Sequence, residues 1–166
     1  MNVFEYAMKM EKDGQHYYEE QSAKSNHHTL KKLWQQLASD EIKHHEIFRR
    51  MRDGEIKEAA KMSKLGTEIL GKAKTVFEEM KESDQNLDFG EDVIAAWNKA
   101  QDMELATEKF YRDKEKEEKQ PEIKSSFHLL AAEEHKHVLL IEHVLNFLNG
   151  PRSWLEDAEW SNLDND

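Results

Sequence analysis

The sequence predicts an all-α protein, an antiparallel four-helix bundle with a long crossover between its second and third helices. Three observations lead there. Two prolines and six glycines in 166 residues, with abundant Glu, Lys, Leu and Ala, favour helix over strand. Apolar residues recur at three- and four-residue intervals in four long stretches, so each stretch has one inward stripe. Two of those stretches repeat the other two at a constant offset. LASDEIKH, residues 37–44, returns ninety-three residues later as LAAEEHKH, residues 130–137. The same offset carries Met10-Glu11 onto Met103-Glu104 and Tyr18 onto Tyr111 without a gap.

The first helix is expected over residues 2–24, with Phe4, Ala7, Glu11, Gly14 and Tyr18 inward. Glu11 then sits in the middle of an apolar stripe, where a lone carboxylate is costly unless paired or metal-bound. The polar run Ser25 to Thr29 breaks the chain with residues that cap helices. The second helix runs from about Leu30 to Arg52, with Leu30, Trp34, Leu37, Glu41, His44, Phe48 and Met51 inward, and Asp53-Gly54 ends it. Residues 54–89 form the crossover. Within it, Glu55 to Leu65 and Thr67 to Lys81 read as short helical pieces anchored by Ile69, Leu70, Val76, Phe77 and Met80.

Asp88-Phe89-Gly90-Glu91 reads as an acidic capping box that opens a third helix reaching Glu118. Trp97, Ala100, Glu104, Thr107 and Tyr111 are its inward positions. Pro121 sits near the start of the fourth helix, where a missing N–H costs nothing. That helix runs to about Leu148, with Ile123, Phe127, Leu130, Glu134, His137, Ile141, Val144 and Leu148 inward, and Asn149-Gly150-Pro151 closes it. Residues 1–150 make one bundle domain and residues 151–166 a tail. The two tail tryptophans are expected to dock on the bundle or on a second subunit, and no fifth helix is expected after Pro151.

A formal charge of −11 argues against nucleic-acid and anionic-membrane partners, whose phosphates would repel it. The absence of cysteine excludes disulfides, thiolate zinc sites, cysteine nucleophiles and cysteine-ligated iron within these residues. The opening residues lack a signal-peptide pattern, and no stretch approaches the ~20 apolar residues of a membrane span. A soluble cytoplasmic protein is the expectation.

The chemistry lies in the repeat. Glu-x-x-His occurs twice, as Glu41/His44 and Glu134/His137, at matching places in the two copies. On a helix, residues three apart share a face about one turn from each other, so each pair can reach one metal ion. Glu11 and Glu104 add a repeated carboxylate upstream. Two helices each giving a Glu, and two each giving Glu-x-x-His, is the pattern of ferritin-like carboxylate bundles. Four carboxylates balance the charge of two divalent ions, and mixed oxygen and nitrogen donors suit iron, with manganese and zinc as alternatives.

MEKDGQHYY with DEIKH, MELATEKFY with EEHKH, and the tail segment WLEDAEWSNL resemble the rubrerythrin branch of the ferritin-like superfamily. The resemblance covers residues 2–148 and extends into the tail. It implies two iron ions per chain, with Glu11 and Glu104 as terminal ligands, Glu41 and Glu134 as bridging ligands, and one histidine, His44 or His137, on each ion. It implies that Tyr18 and Tyr111 hydrogen-bond ligand carboxylates. The chain departs from rubrerythrins proper in two ways. It carries no cysteine-ligated iron domain, so electrons would come from an external donor protein. Thr107 stands where those proteins have a further glutamate, which leaves a symmetrical six-residue set.

The function expected from this resemblance is a non-haem di-iron oxidoreductase reducing hydrogen peroxide or dioxygen, assembled as a homodimer. A ferroxidase and a non-catalytic iron-binding or storage protein are the alternatives, and a metal-free helical protein is a third. His45 points about 100° away from His44 on a helix, which places it off the site. His16, His27, His28, His128, His135 and His143 lack a repeated carboxylate pattern and read as surface or core residues.

Overall fold

The computed structural model describes residues 1–82, 87–156 and 163. Four long helices dominate it: α1 (Val3–Lys24), α2 (His28–Arg52), α5 (Glu91–Glu117) and α6 (Pro121–Asn149). The crossover holds α3 (Ile56–Leu65) and α4 (Ile69–Lys81), and a short α7 (Pro151–Glu156) follows α6. No strand occurs among the described residues. The architecture is the all-α helical bundle that periodicity predicts and agrees with the ferritin-like fold that the resemblance implies, and no described helix is long and apolar enough to cross a membrane.

The helix ends follow local chemistry. Asn2 caps α1 by accepting the Glu5 N–H at 2.9 Å, which satisfies one of the free amides of the first turn. Gly54, at φ +84°, follows α2 in a conformation that residues with a Cβ seldom adopt. Pro121 lies in the first turn of α6. The N-cap of α5 is Gly90, two residues later than Asp88, and the helix begins at Glu91. Acidic Glu91 and Asp92 in its first turn still complement the helix dipole.

Each long pair is antiparallel, and the core shows it. Ala7 near the start of α1 shares a cluster with Phe48 and Met51 near the end of α2. Tyr18 near the end of α1 shares a second cluster with Leu30, Leu33 and Leu37 near the start of α2. In the same way Tyr111 joins Ile123 and Phe127 in the first cluster, and Trp97 joins Ile141 and Val144 in the second. The bundle therefore has two apolar layers with a buried polar layer between them.

The crossover lies along α2 and α6. Its α3 adds Ala59 to the first apolar layer, and its α4 adds Ile69, Ala73, Phe77 and Met80 to the second. The turn between them passes through Gly66, at φ +62° and ψ −168°, a region open essentially to glycine alone. A Cβ there would also stand 2.6 Å from Glu133 Oε1. After Pro151 the chain forms the six-residue α7 rather than no helix, because Trp154 docks on the bundle. Its ring packs against Phe77 at 4.6 Å and Phe147 at 5.7 Å. The other tail tryptophan, Trp160, lies outside the described residues.

Candidate metal centre

Glu11 on α1, Glu41 and His44 on α2, Glu104 on α5, and Glu134 and His137 on α6 are all buried, none more than 3% exposed. Each occupies the inward stripe of its helix between the two apolar layers. The spacing explains why: a residue one helical turn from an apolar neighbour faces the same way whatever its polarity. The fold thus brings the six sequence-predicted residues to one place.

Their ligand atoms form two overlapping groups. Glu11, Glu41, His44 and Glu134 each offer an atom within 4.8 Å of the others, and so do Glu41, Glu104, Glu134 and His137. Glu41 and Glu134 belong to both. His44 Nδ1 lies 2.9 Å from Glu134 Oε1 and 3.6 Å from Glu11 Oε2. His137 Nδ1 lies 3.1 Å from Glu104 Oε1, 3.2 Å from Glu41 Oε1 and 3.5 Å from Glu134 Oε2. Both imidazoles therefore turn Nδ1 toward the carboxylates, with their rings 5.8 Å apart.

The tyrosines cross over. Tyr18 on α1 donates to Glu104 Oε1 on α5, and Tyr111 on α5 donates to Glu11 Oε1 on α1 at 2.6 Å. Burial, and then the charges of Glu104 and Glu11 respectively, push both phenols well above their ordinary value. They hold their protons and act as donors.

The rubrerythrin family model matches residues 2–145. The chain belongs to the rubrerythrin family. No curated protein and no solved structure matches it.

The electrostatics of this rubrerythrin-family cluster are those of a charge-rich group removed from water. Burial, reinforced by neighbouring carboxylates, pushes Glu41 and Glu134 well above the usual carboxylate range. For Glu11 and Glu104 burial acts the same way. It is outweighed by hydrogen bonds and the nearby imidazoles, which hold both groups low. Burial disfavours charged His44 and His137, but Glu11 and Glu104 respectively overcome it and raise both. The group thus shares protons among carboxylates that cannot all ionise together.

These residues fit bound metal. Glu11 Oε2, Glu41 Oε1, Glu104 Oε2 and Glu134 Oε2 are buried without a hydrogen-bond partner among the described residues. Buried acceptors left in that state are rare in folded proteins, and cations would satisfy all four. Oxygen donors with one imidazole in each group are the donor set that iron and similar divalent metals accept.

Three surrounding features are not evident from residue spacing. Asp40 Oδ2 lies 2.8 Å from His137 Nε2, and the Thr67 hydroxyl of the crossover lies 2.7 Å from the same oxygen. Thr67 also bonds Glu133 Oε2, through its hydroxyl at 2.8 Å and its N–H at 3.2 Å. The recurrence of an acidic residue just before each motif glutamate, Asp40 and Glu133, was the available signal. Nothing local marks Thr67. Gly14 is the third feature: a Cβ there would stand 3.1 Å from Glu41 Oε2, so the missing side chain leaves room for that carboxylate.

Thr107 is half-buried, and its hydroxyl donates to Met103 O of its own helix at 3.0 Å. It joins neither ligand group. His45 is half-buried and off both groups, and His16 and His28 are exposed. Exposed His128 and His135 lie beside Glu115 and Glu108. His27 packs near Phe89 and His143 near Trp154.

Proposed function

We propose that this chain is a non-haem di-iron oxidoreductase of the rubrerythrin type that reduces hydrogen peroxide with electrons from an external donor protein. The observation that carries the reading is the pair of buried ligand groups sharing Glu41 and Glu134. Glu11 and His44 would complete one iron, and Glu104 and His137 the other. Two irons held there would supply two one-electron changes, matching the two electrons that convert one peroxide to two waters.

The chain's own part is positioning and exclusion. The apolar layers above and below keep bulk water from the carboxylates, so their charge acts in a low-dielectric space. Asp40 holds the proton on His137 Nε2 and so leaves Nδ1 as the ligating atom. The two phenols bond one oxygen of each terminal carboxylate and fix which oxygen remains for a metal. Glu41 and Glu134, anchored on α2 and α6, would be the carboxylates offered to both ions.

Anaerobic loading with Fe²⁺, followed by stopped-flow mixing with peroxide and separately with oxygen, tests the proposal. Two irons per chain, oxidised much faster by peroxide, is the expected result. Faster oxidation by oxygen with turnover of excess Fe²⁺ would make the chain a ferroxidase instead. Failure to take up iron would overturn the reading.

A further inference from the structure

The two ends of the bundle are built alike but furnished differently. At one end Tyr18, already bonded to Glu104, stacks on Trp34 with ring centroids 5.7 Å apart. Trp34 in turn lies flat on Trp97 at 3.6 Å with 17° between the planes. The ninety-three-residue repeat carries Tyr18 to Tyr111, Trp34 to Phe127, and Phe4 to Trp97. The structure follows it: Tyr111 packs on Phe127 at 6.1 Å, and Phe127 stacks on Phe4 at 6.3 Å. The same three-ring column thus runs from each terminal carboxylate. Both outer rings are indoles in one column and phenyls in the other.

Packing alone does not call for indoles, since phenylalanine fills the equivalent places. Trp97 is fully buried, and its Nε1–H has no hydrogen-bond partner among the described residues. That is a cost phenylalanine would not carry. What an indole adds is chemistry, because it gives up one electron far more readily than a phenyl ring. The column also leads outward. Trp34 and Trp97 line an open pocket of about 350 Å³ together with Gln21, Lys24, Asn26 and Asp92.

We propose that Tyr18, Trp34 and Trp97 form a one-electron relay between the carboxylate–histidine cluster and this surface pocket. The proposal rests on the peroxide-reducing reading above. Peroxide needs two electrons and two protons to become two waters. When the metals can give only one, as in a chain holding a single Fe²⁺, the second leaves the relay. The balance is H₂O₂ + 2H⁺ + Fe²⁺ + Trp97 → 2H₂O + Fe³⁺ + the Trp97 indole cation radical. As the electron vacancy crosses Tyr18, the phenolic proton shifts to Glu104 Oε1 and then returns. A small reductant of the ascorbate or thiol class, entering the pocket, restores the indole with one electron. The oxidising equivalent is thereby spent at the surface instead of on His44 or His137.

The test loads the full chain anaerobically with one Fe²⁺ per chain, adds one equivalent of peroxide, and freeze-quenches the mixture for electron paramagnetic resonance. Iron content is measured in the same samples, and oxidised residues are mapped afterwards by peptide mass spectrometry. An indole radical in the parent protein, lost in Trp34→Phe, moved to Trp34 or lost in Trp97→Phe, and unchanged in Trp154→Phe, is the expected result. Oxidation mapped to Trp97 or Trp34, and diverted to other residues in the variants, agrees with it. Both substitutions install the residue type the other column already carries, so folding is expected to survive. Iron oxidised without an indole radical, or a radical indifferent to both substitutions, overturns the relay and leaves the metal centre standing. Iron bound but untouched by peroxide overturns the functional reading and the relay together.

Discussion

The half of the bundle made by α1 and α2 and the half made by α5 and α6 offer the same inner side chains in different surroundings. His137 has its outer nitrogen held by Asp40, which is held in turn by Thr67. The repeat puts Glu133 where it could do the same for His44. Glu133 instead bonds Thr67 and Lys136, and His44 Nε2 has no partner among the described residues. His44 lines a pocket of about 210 Å³ with Gly66, Thr67 and Glu133. The lesson is that an internal repeat specifies where the buried carboxylates and imidazoles sit, while an unrepeated segment decides how firmly each is held. Here that segment is the crossover, which enters on one side only.

The harshest way to break the comparison is to remove a residue both halves share. Glu134→Ala is expected to abolish binding of the metal pair and the peroxide reaction with it, since both groups lose a ligand. Metal content after equilibrium dialysis checks this.

Proton competition comes next. Glu41, Glu134, His44 and His137 all have raised values in the metal-free chain, so metal must displace protons that they hold. Affinity should therefore rise with pH, about tenfold per unit for each proton released. Titration with Co²⁺ at two pH values, with proton release measured, would show it. The sign for folding is opposite. Groups raised above their unfolded values stabilise the metal-free chain fully below those unfolded values and lose that contribution as pH rises through the folded ones. The metal-free melting temperature should fall from pH ~6 to pH ~8.5, and bound metal should reverse the trend.

A smaller change sharpens the difference between the halves. Asp40→Ala frees His137 Nε2 and should weaken metal binding about 10- to 100-fold. Glu133→Gln touches neither histidine and should leave affinity nearly unchanged. Its effect should appear in stability, about 1 kcal/mol through the Thr67 contacts. Equal losses of affinity would show that the two sites are supported alike. The smallest effect is expected at His45, next to a proposed ligand but off the site. His45→Ala should keep full metal content and shift stability by no more than about 0.5 kcal/mol in chemical denaturation.

Much of this molecule was legible from residue spacing. Every inward position that spacing predicts on α2 and α6 is buried. Spacing says less where short-range chemistry competes. The residues before α5 offer Asp88 as a cap, yet the N-cap is Gly90. The tail offered no periodicity long enough to announce α7, which forms where Trp154 finds Phe77 and Phe147.

By itself, then, the sequence determined which side chains share a face, because helix geometry converts spacing into direction without regard to the rest of the chain. It therefore placed six ligand-type residues on four inward stripes. Only the tertiary structure decided what stands behind them. Thr67 meets Asp40 across 27 positions and Asp40 meets His137 across 97, separations over which no periodicity carries information. Likewise the repeat announces two aromatic columns, but the stacking of Trp34 on Trp97 needs α2 and α5 to be brought together. Those contacts depend on how helices and crossover pack, and packing belongs to the whole chain.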